Sequence, residues 1–216
     1  MKVLFIGNSY TFYYDLPAMF QALANENEKD VSAFSVTEGG RRLIKFKDQT
    51  DPYTVALDNL LEKEHFDVVF FQEQSVLPAA DYATFFEGLE ALCAKVMLHA
   101  DRGILYSTWG RRPGSQDLEK FGWTNEMMTD LLEESYTSAA NKLGLGISYV
   151  GPAFRRLRNS CPELELYDPD GSHPSRLGSC LACVCHYKAV FGKLPEHFAS
   201  LQLSHSDLAA VIDSIE

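Results

Sequence analysis

The 216-residue chain lacks any long apolar run. Nowhere do roughly 18 or more apolar residues follow one another, so no membrane-spanning helix is expected. Basic residues are scarce: Lys plus Arg total 19 against 30 Asp plus Glu, a formal net charge of -11. Nucleic-acid binding relies on a basic face, and an anionic bilayer repels an acidic protein, so neither partner is expected. Cysteines number only five, an odd count, and Cys180, Cys183 and Cys185 crowd into one short segment. That pattern excludes the disulfide framework of a small secreted domain. The apolar stretch before Gly7 is only Val3-Leu4-Phe5-Ile6. It is too short for the core of a secretory signal, and a cytoplasmic location is expected. Repeats, low-complexity tracts and inter-domain linkers are missing too, so residues 1–216 read as a single domain.

What is present is alternation. Val3–Ile6, Val31–Val36, Val68–Phe71, Ile104–Tyr106 and Ile147–Val150 predict five strands, several almost wholly apolar, as in a parallel sheet covered on both faces. Helices are predicted between them. Asp15 with Pro17, Asp51 with Pro52, Asp81 and Thr124 supply starts, and Gly144 and Gly192 supply stops. Val55, Ala56, Leu60 and Leu61 are expected on the inner face of the second helix. Met127, Met128, Leu131, Leu132 and Tyr136 are expected on that of the fourth. A last long helix is predicted from about Pro174 to Phe191, and a short surface helix over Ser206–Glu216. Thr108–Gly122 is the longest irregular stretch. The fold class that follows is α/β, a three-layer α/β/α sandwich with right-handed crossovers.

Ligands of such sheets bind beyond the carboxyl ends of the strands. Four segments there carry unusual chemistry. Gly7-Asn8-Ser9-Tyr10-Thr11 puts a serine on a strand-to-helix turn. Glu38-Gly39-Gly40 permits a backbone N–H to point at a ligand. Gln72-Glu73-Gln74-Ser75 places side-chain amides at the crevice, with Glu73 alternatively bonding a neighbouring loop. Asp170-Gly171-Ser172-His173 lets a carboxylate fix the tautomer of an imidazole three residues on.

Taken together, these segments resemble the SGNH (GDSL-like) hydrolase superfamily, in order and over nearly the whole chain. The resemblance implies a flavodoxin-like sandwich with a five-stranded parallel sheet in the order 2-1-3-4-5, and an esterase. It implies Ser9 as nucleophile, with Asp170 and His173 matching the family's Asp-x-x-His. The oxyanion hole would combine the N–H of Ser9, that of Gly40 or Gly39, and the Gln74 side chain, with Gln72 as a substitute donor. Asn8 stands where the family usually has Asp, and Gln74 where it usually has Asn. The expected substrate is a small ester with a short acyl or acetyl group, a carbohydrate being one candidate alcohol. No cofactor is expected.

Around this core, Tyr10, Phe12, Tyr13 and Tyr14 are candidates for an acyl-pocket wall, Phe12 equally for core packing. Trp109 is a candidate to stack on a sugar ring, and Arg111 or Arg112 to hold a carboxylate or phosphate. Cys180, Cys183, Cys185 and His186 do not share one helix face, so buried apolar packing is expected rather than a metal site. The alternative to an enzyme is a non-catalytic module on the same sandwich that binds a nucleotide, a flavin or an acylated glycan.

Overall fold

The computed structural model describes residues 1–215. Five strands, β1 (Lys2–Gly7), β2 (Ser32–Thr37), β3 (Val68–Phe71), β4 (Gly103–Ser107) and β5 (Gly146–Tyr149), form one sheet in the order β2-β1-β3-β4-β5. Every pairing is parallel. The helices are α1 (Ser9–Phe12), α2 (Leu16–Glu26), α3 (Pro52–Leu61), α4 (Leu77–Ala80), α5 (Tyr82–Val96), α6 (Gln116–Phe121), α7 (Asn125–Leu143), α8 (Val150–Ser160), α9 (Arg176–Phe191) and α10 (His205–Ile215). None of them is long and apolar enough to cross a membrane.

Side chains alternate across a strand, so a two-sided sheet needs apolar residues at every position. The three central strands meet that demand. Val3, Phe5, Val68, Phe70, Ile104 and Tyr106 face one layer, which contains α2, α8, α9 and α10. Leu4, Ile6, Val69, Phe71 and Leu105 face the other, which contains α3, α5 and α7. In the first layer Phe5 stacks on Phe70 at 4.8 Å. Cys180, Cys183, Cys185 and His186 are all buried there. The His186 ring packs against Phe70 and Tyr106, and its Nδ1 lies 2.7 Å from Ser148 Oγ. Burial pushes the His186 pKa down to about 3, so this imidazole is neutral packing.

Starts and stops follow the caps. Asp15, Asp51, Asp81 and Thr124 each accept a first-turn N–H of α2, α3, α5 and α7. Four expectations need correction. In α3 the buried positions are Thr54, Leu57 and Leu61, whereas Val55 (44% exposed) and Ala56 face outward. Thr54 is drawn in by polar contacts with Asp51 and Arg41, which shifts the phase. Met127 is 47% exposed while Met128 points inward. Val150 opens α8 instead of ending a strand, because a proline is tolerated in a first helical turn. The C-terminal helix buries Val211, Ser214 and Ile215 against its neighbours, and Glu216 lies outside the described residues.

The order of strands creates a switch point. The chain leaves β1 for β2 on one side and reaches β3 on the other, so the ends of β1 and β3 flank a crevice. Gly7 pairs with Thr37 and Ile6 with Phe71, which starts the three following loops at one level. The loop after β4 is wedged against α8. A Cβ on Gly151 would lie 2.1 Å from the Thr108 carbonyl oxygen. Gly151→Ala is therefore expected to destabilise the protein by about 1–3 kcal/mol. Urea unfolding checks this, and a variant as stable as wild type would contradict the packing.

Candidate active site

Asn8 organises the first turn. It is buried, and its backbone N–H donates to Gln72 Oε1 at 2.9 Å. Its Oδ1 accepts the Tyr10 N–H at 3.2 Å, and its Nδ2 donates to the Arg41 carbonyl at 3.0 Å. Its side chain thus caps α1 and holds the loop after β2, while its backbone N–H joins the loop after β3. An ionised Asp here could cap but could not donate to Arg41, so the amide has a physical reason. Ser9 follows as the first residue of α1, with an N–H that has no intrahelical partner.

His173 reaches Ser9 from the segment before α9. Its Nε2 lies 2.7 Å from Ser9 Oγ, and its Nδ1 is hydrogen-bonded to Asp170 Oδ2. Asp170 Oδ1 accepts the N–H groups of Ser172 and His173, both at 2.9 Å. Partial burial raises the Asp170 carboxyl. The bonds from the His173 ring and from both N–H groups outweigh it and hold the pKa at about 2. Asp170 is then ionised and can only accept. In the neutral imidazole this places the proton on Nδ1 and leaves Nε2 to accept the Ser9 hydroxyl. Tyr13 stacks on the imidazole at 4.3 Å, and Tyr10 meets it edge-on at 5.5 Å.

Ser9 and His173 line a cleft of about 160 Å³ with Asn8, Tyr10, Gly40, Gln74, Ser75, Arg111 and Ser172. It is smaller than the roughly 300–1,000 Å³ of drug-sized ligand sites. Gly40 has φ +65°, a conformation glycine adopts without steric cost, and its N–H has no backbone partner among the described residues. Gly39 does not line the cleft.

Similarity to solved structures carries the fold further. A protein from Slackia heliotrinireducens assigned to the SGNH hydrolases superposes with a TM-score of 0.78 at 27% identity, covering 88% of this chain and 98% of that one. A DUF4886 family protein from Bacteroides uniformis gives 0.83 at 17% identity, over 100% and 93%. An acetylxylan esterase from Geobacillus stearothermophilus gives 0.61 at 15%, over 88% and 94%. The chain has the SGNH (GDSL-like) hydrolase fold. No family model and no curated protein matches it by sequence.

Within this SGNH fold several expected site residues lie outside the cleft. Trp109 is 1% exposed, sandwiched between Tyr10 at 4.6 Å and Phe154 at 4.1 Å, with its Nε1 donating to the Ser172 carbonyl. It supports the site from beneath and cannot stack on a sugar. Gln72 is fully buried, its Oε1 taken by Asn8 and Thr11 and its Nε2 by the Glu73 carbonyl. It braces the turn and has no free group to offer the cleft, against its expected places as substrate-binding residue and substitute donor. Arg112 likewise braces the Asp170 loop, donating to the Tyr167 and Asp168 carbonyls. Phe12 is 42% exposed and not in the core. The stacking of Tyr13 and the cleft position of Ser75 and Ser172 escaped sequence reading. The aromatic run after Ser9 was the available signal for Tyr13.

Glu73 joins the SGNH loops. Its fully buried carboxylate accepts the N–H of Leu43, at 3.2 and 3.1 Å to its two oxygens, and that of Gln74 at 2.6 Å. It therefore ties the loop carrying Gly40 to the loop carrying Gln74. Burial pushes its pKa up to about 7, against the opposing pull of the two N–H donors and of Arg42. Its stabilising contribution is complete at acid pH and is lost as pH rises through about 7, because the folded state keeps a proton that the unfolded chain releases. Unfolding free energies of wild type and Glu73→Gln, measured near pH 5 and pH 8, should diverge, with wild type losing more on the alkaline side. Parallel pH profiles would contradict the buried-carboxylate reading.

Proposed function

We propose that the protein is a serine esterase that removes a short acyl group from a small-molecule alcohol. The observation that carries this reading is the unbroken chain of contacts from Asp170 through His173 to Ser9 at the wall of one small cleft. Ser9 Oγ attacks the acyl carbonyl while His173 Nε2 takes its proton. Asp170 stabilises the imidazolium that forms, and the Tyr13 face stacked on that ring favours the cation. The oxyanion is received by the N–H groups of Ser9 and Gly40 and by the Gln74 side-chain amide. His173 then protonates the departing alkoxide, and water releases the acyl group from Ser9 by the same steps in reverse.

The size of the cleft supports a short acyl chain. The shared fold with an acetylxylan esterase and with a lipase/acylhydrolase from Enterococcus faecalis supports ester chemistry, and the first supports an acetylated carbohydrate as one substrate class. With p-nitrophenyl acetate, Ser9→Ala should lower kcat on the order of 10⁴–10⁶-fold. Gln74→Ala should lower it about 10²–10³-fold. Both variants should keep the wild-type circular dichroism spectrum. Retained turnover in Ser9→Ala would refute the reading, and in Gln74→Ala the donor assignment alone.

A further inference from the structure

We infer that the cleft selects an ester carrying an anionic group, held by Arg111; this rests on the esterase reading above. Two arginines are almost fully buried, Arg41 at 1% and Arg111 at 7% exposure. They are neutralised differently. Arg41 lies behind the Gly40 turn and meets two carboxylates, Glu38 at 2.8 Å and Asp51 at 2.5 Å. Arg111 lines the cleft itself and meets one, Asp117, whose Oδ2 is 3.0 Å from Nε. That partner is half-exposed to water and sits on the Nε edge. On the opposite side Nη1 donates only to the Tyr10 hydroxyl, and Nη2 has no hydrogen-bond partner among the described residues. A nearly buried guanidinium whose Nη2 is unpaired at the wall of the cleft fits a carboxylate or phosphate oxygen.

Two further features point the same way. The Arg111 backbone is fixed before any ligand arrives. Asn125 Nδ2 donates to the Arg111 carbonyl at 2.6 Å and to the Gly110 carbonyl at 2.9 Å, and the Tyr167 hydroxyl also donates to Gly110 at 2.9 Å. Little ordering is then left to oppose binding. A neighbouring groove of about 200 Å³ shares Gln74 with the cleft, and its charged lining is Arg42 and Lys120 against the carboxylate of Asp117. A cationic approach on a chain of net charge -11 is a local design of the site and not a property of the whole surface.

The test compares kcat/KM within matched pairs. p-Nitrophenyl hemisuccinate against p-nitrophenyl butyrate puts the charge on the acyl side. p-Acetoxybenzoate against p-acetoxybenzamide puts it on the alcohol side. Wild type should favour the charged member of one pair by roughly tenfold to a hundredfold. Arg111→Gln should collapse that ratio, Arg111→Lys should restore part of it, and Asp117→Asn should raise it. A ratio of one or below in both pairs, or a preference unchanged in Arg111→Gln and Asp117→Asn, overturns the inference. Succinate should also raise the Tm of wild type and not of Arg111→Gln. That shift without turnover of any ester would remove the esterase reading and keep the anion site. Turnover of the neutral esters with no charge preference and no shift would remove the anion site alone, and neither shift nor turnover would remove both.

Discussion

A single hydrogen bond, 2.7 Å from Ser9 Oγ to His173 Nε2, joins residues 164 positions apart in sequence. The esterase reading depends on that bond, and the bond depends on the sheet. β1 delivers the serine at its carboxyl end, and the segment before α9 delivers the imidazole to the same edge. Neither element could hold the geometry by itself. The central strands are buried on both faces, so the positions from which the loops depart are fixed by packing on two sides.

The loops are held by polar groups used beneath the cleft. Asn8 bonds two neighbouring loops and its own helix. Gln72 holds Asn8 and Thr11, and Glu73 holds Leu43 and Gln74. Asn8 lines the cleft, whereas Gln72 and Glu73 lie beneath it. In the esterase reading their work is preorganisation: donors already aimed at a developing charge need no rearrangement when the charge appears. A buried carboxylate on its own is costly, and Glu73 shows that cost in its raised pKa. It is placed where it joins two loops that converge on the cleft.

Much of this was legible in the chain. The strands were readable because buried parallel strands need nearly continuous apolar runs, and the helix starts because Asp and Thr caps satisfy first-turn N–H groups. The approach of Ser9, His173 and Asp170 could be expected from their places after strand one and before the last helix. What misled was residue type without depth. Trp109 and Gln72 look like surface recognition groups, yet both are buried under the cleft, where size and amide bonding serve packing. Sequence does not state which side of a loop faces in. The inner phase of α3 departs from the apolar pattern for a similar reason, since Thr54 is buried by its bonds and not by its apolarity. Tyr13 was grouped with its aromatic neighbours, and only the fold separates the ring that stacks on His173 from the exposed rings of Phe12 and Tyr14.

The central claim is that Ser9 is a nucleophile activated by the His173–Asp170 pair. The most direct measurement is intact-mass spectrometry with peptide mapping after treatment with a small alkyl fluorophosphonate near neutral pH. One adduct on the peptide containing Ser9, formed rapidly in wild type and lost in His173→Ala, is the predicted result. An unlabelled Ser9, or labelling of Ser9 that proceeds equally fast without His173, would contradict the account.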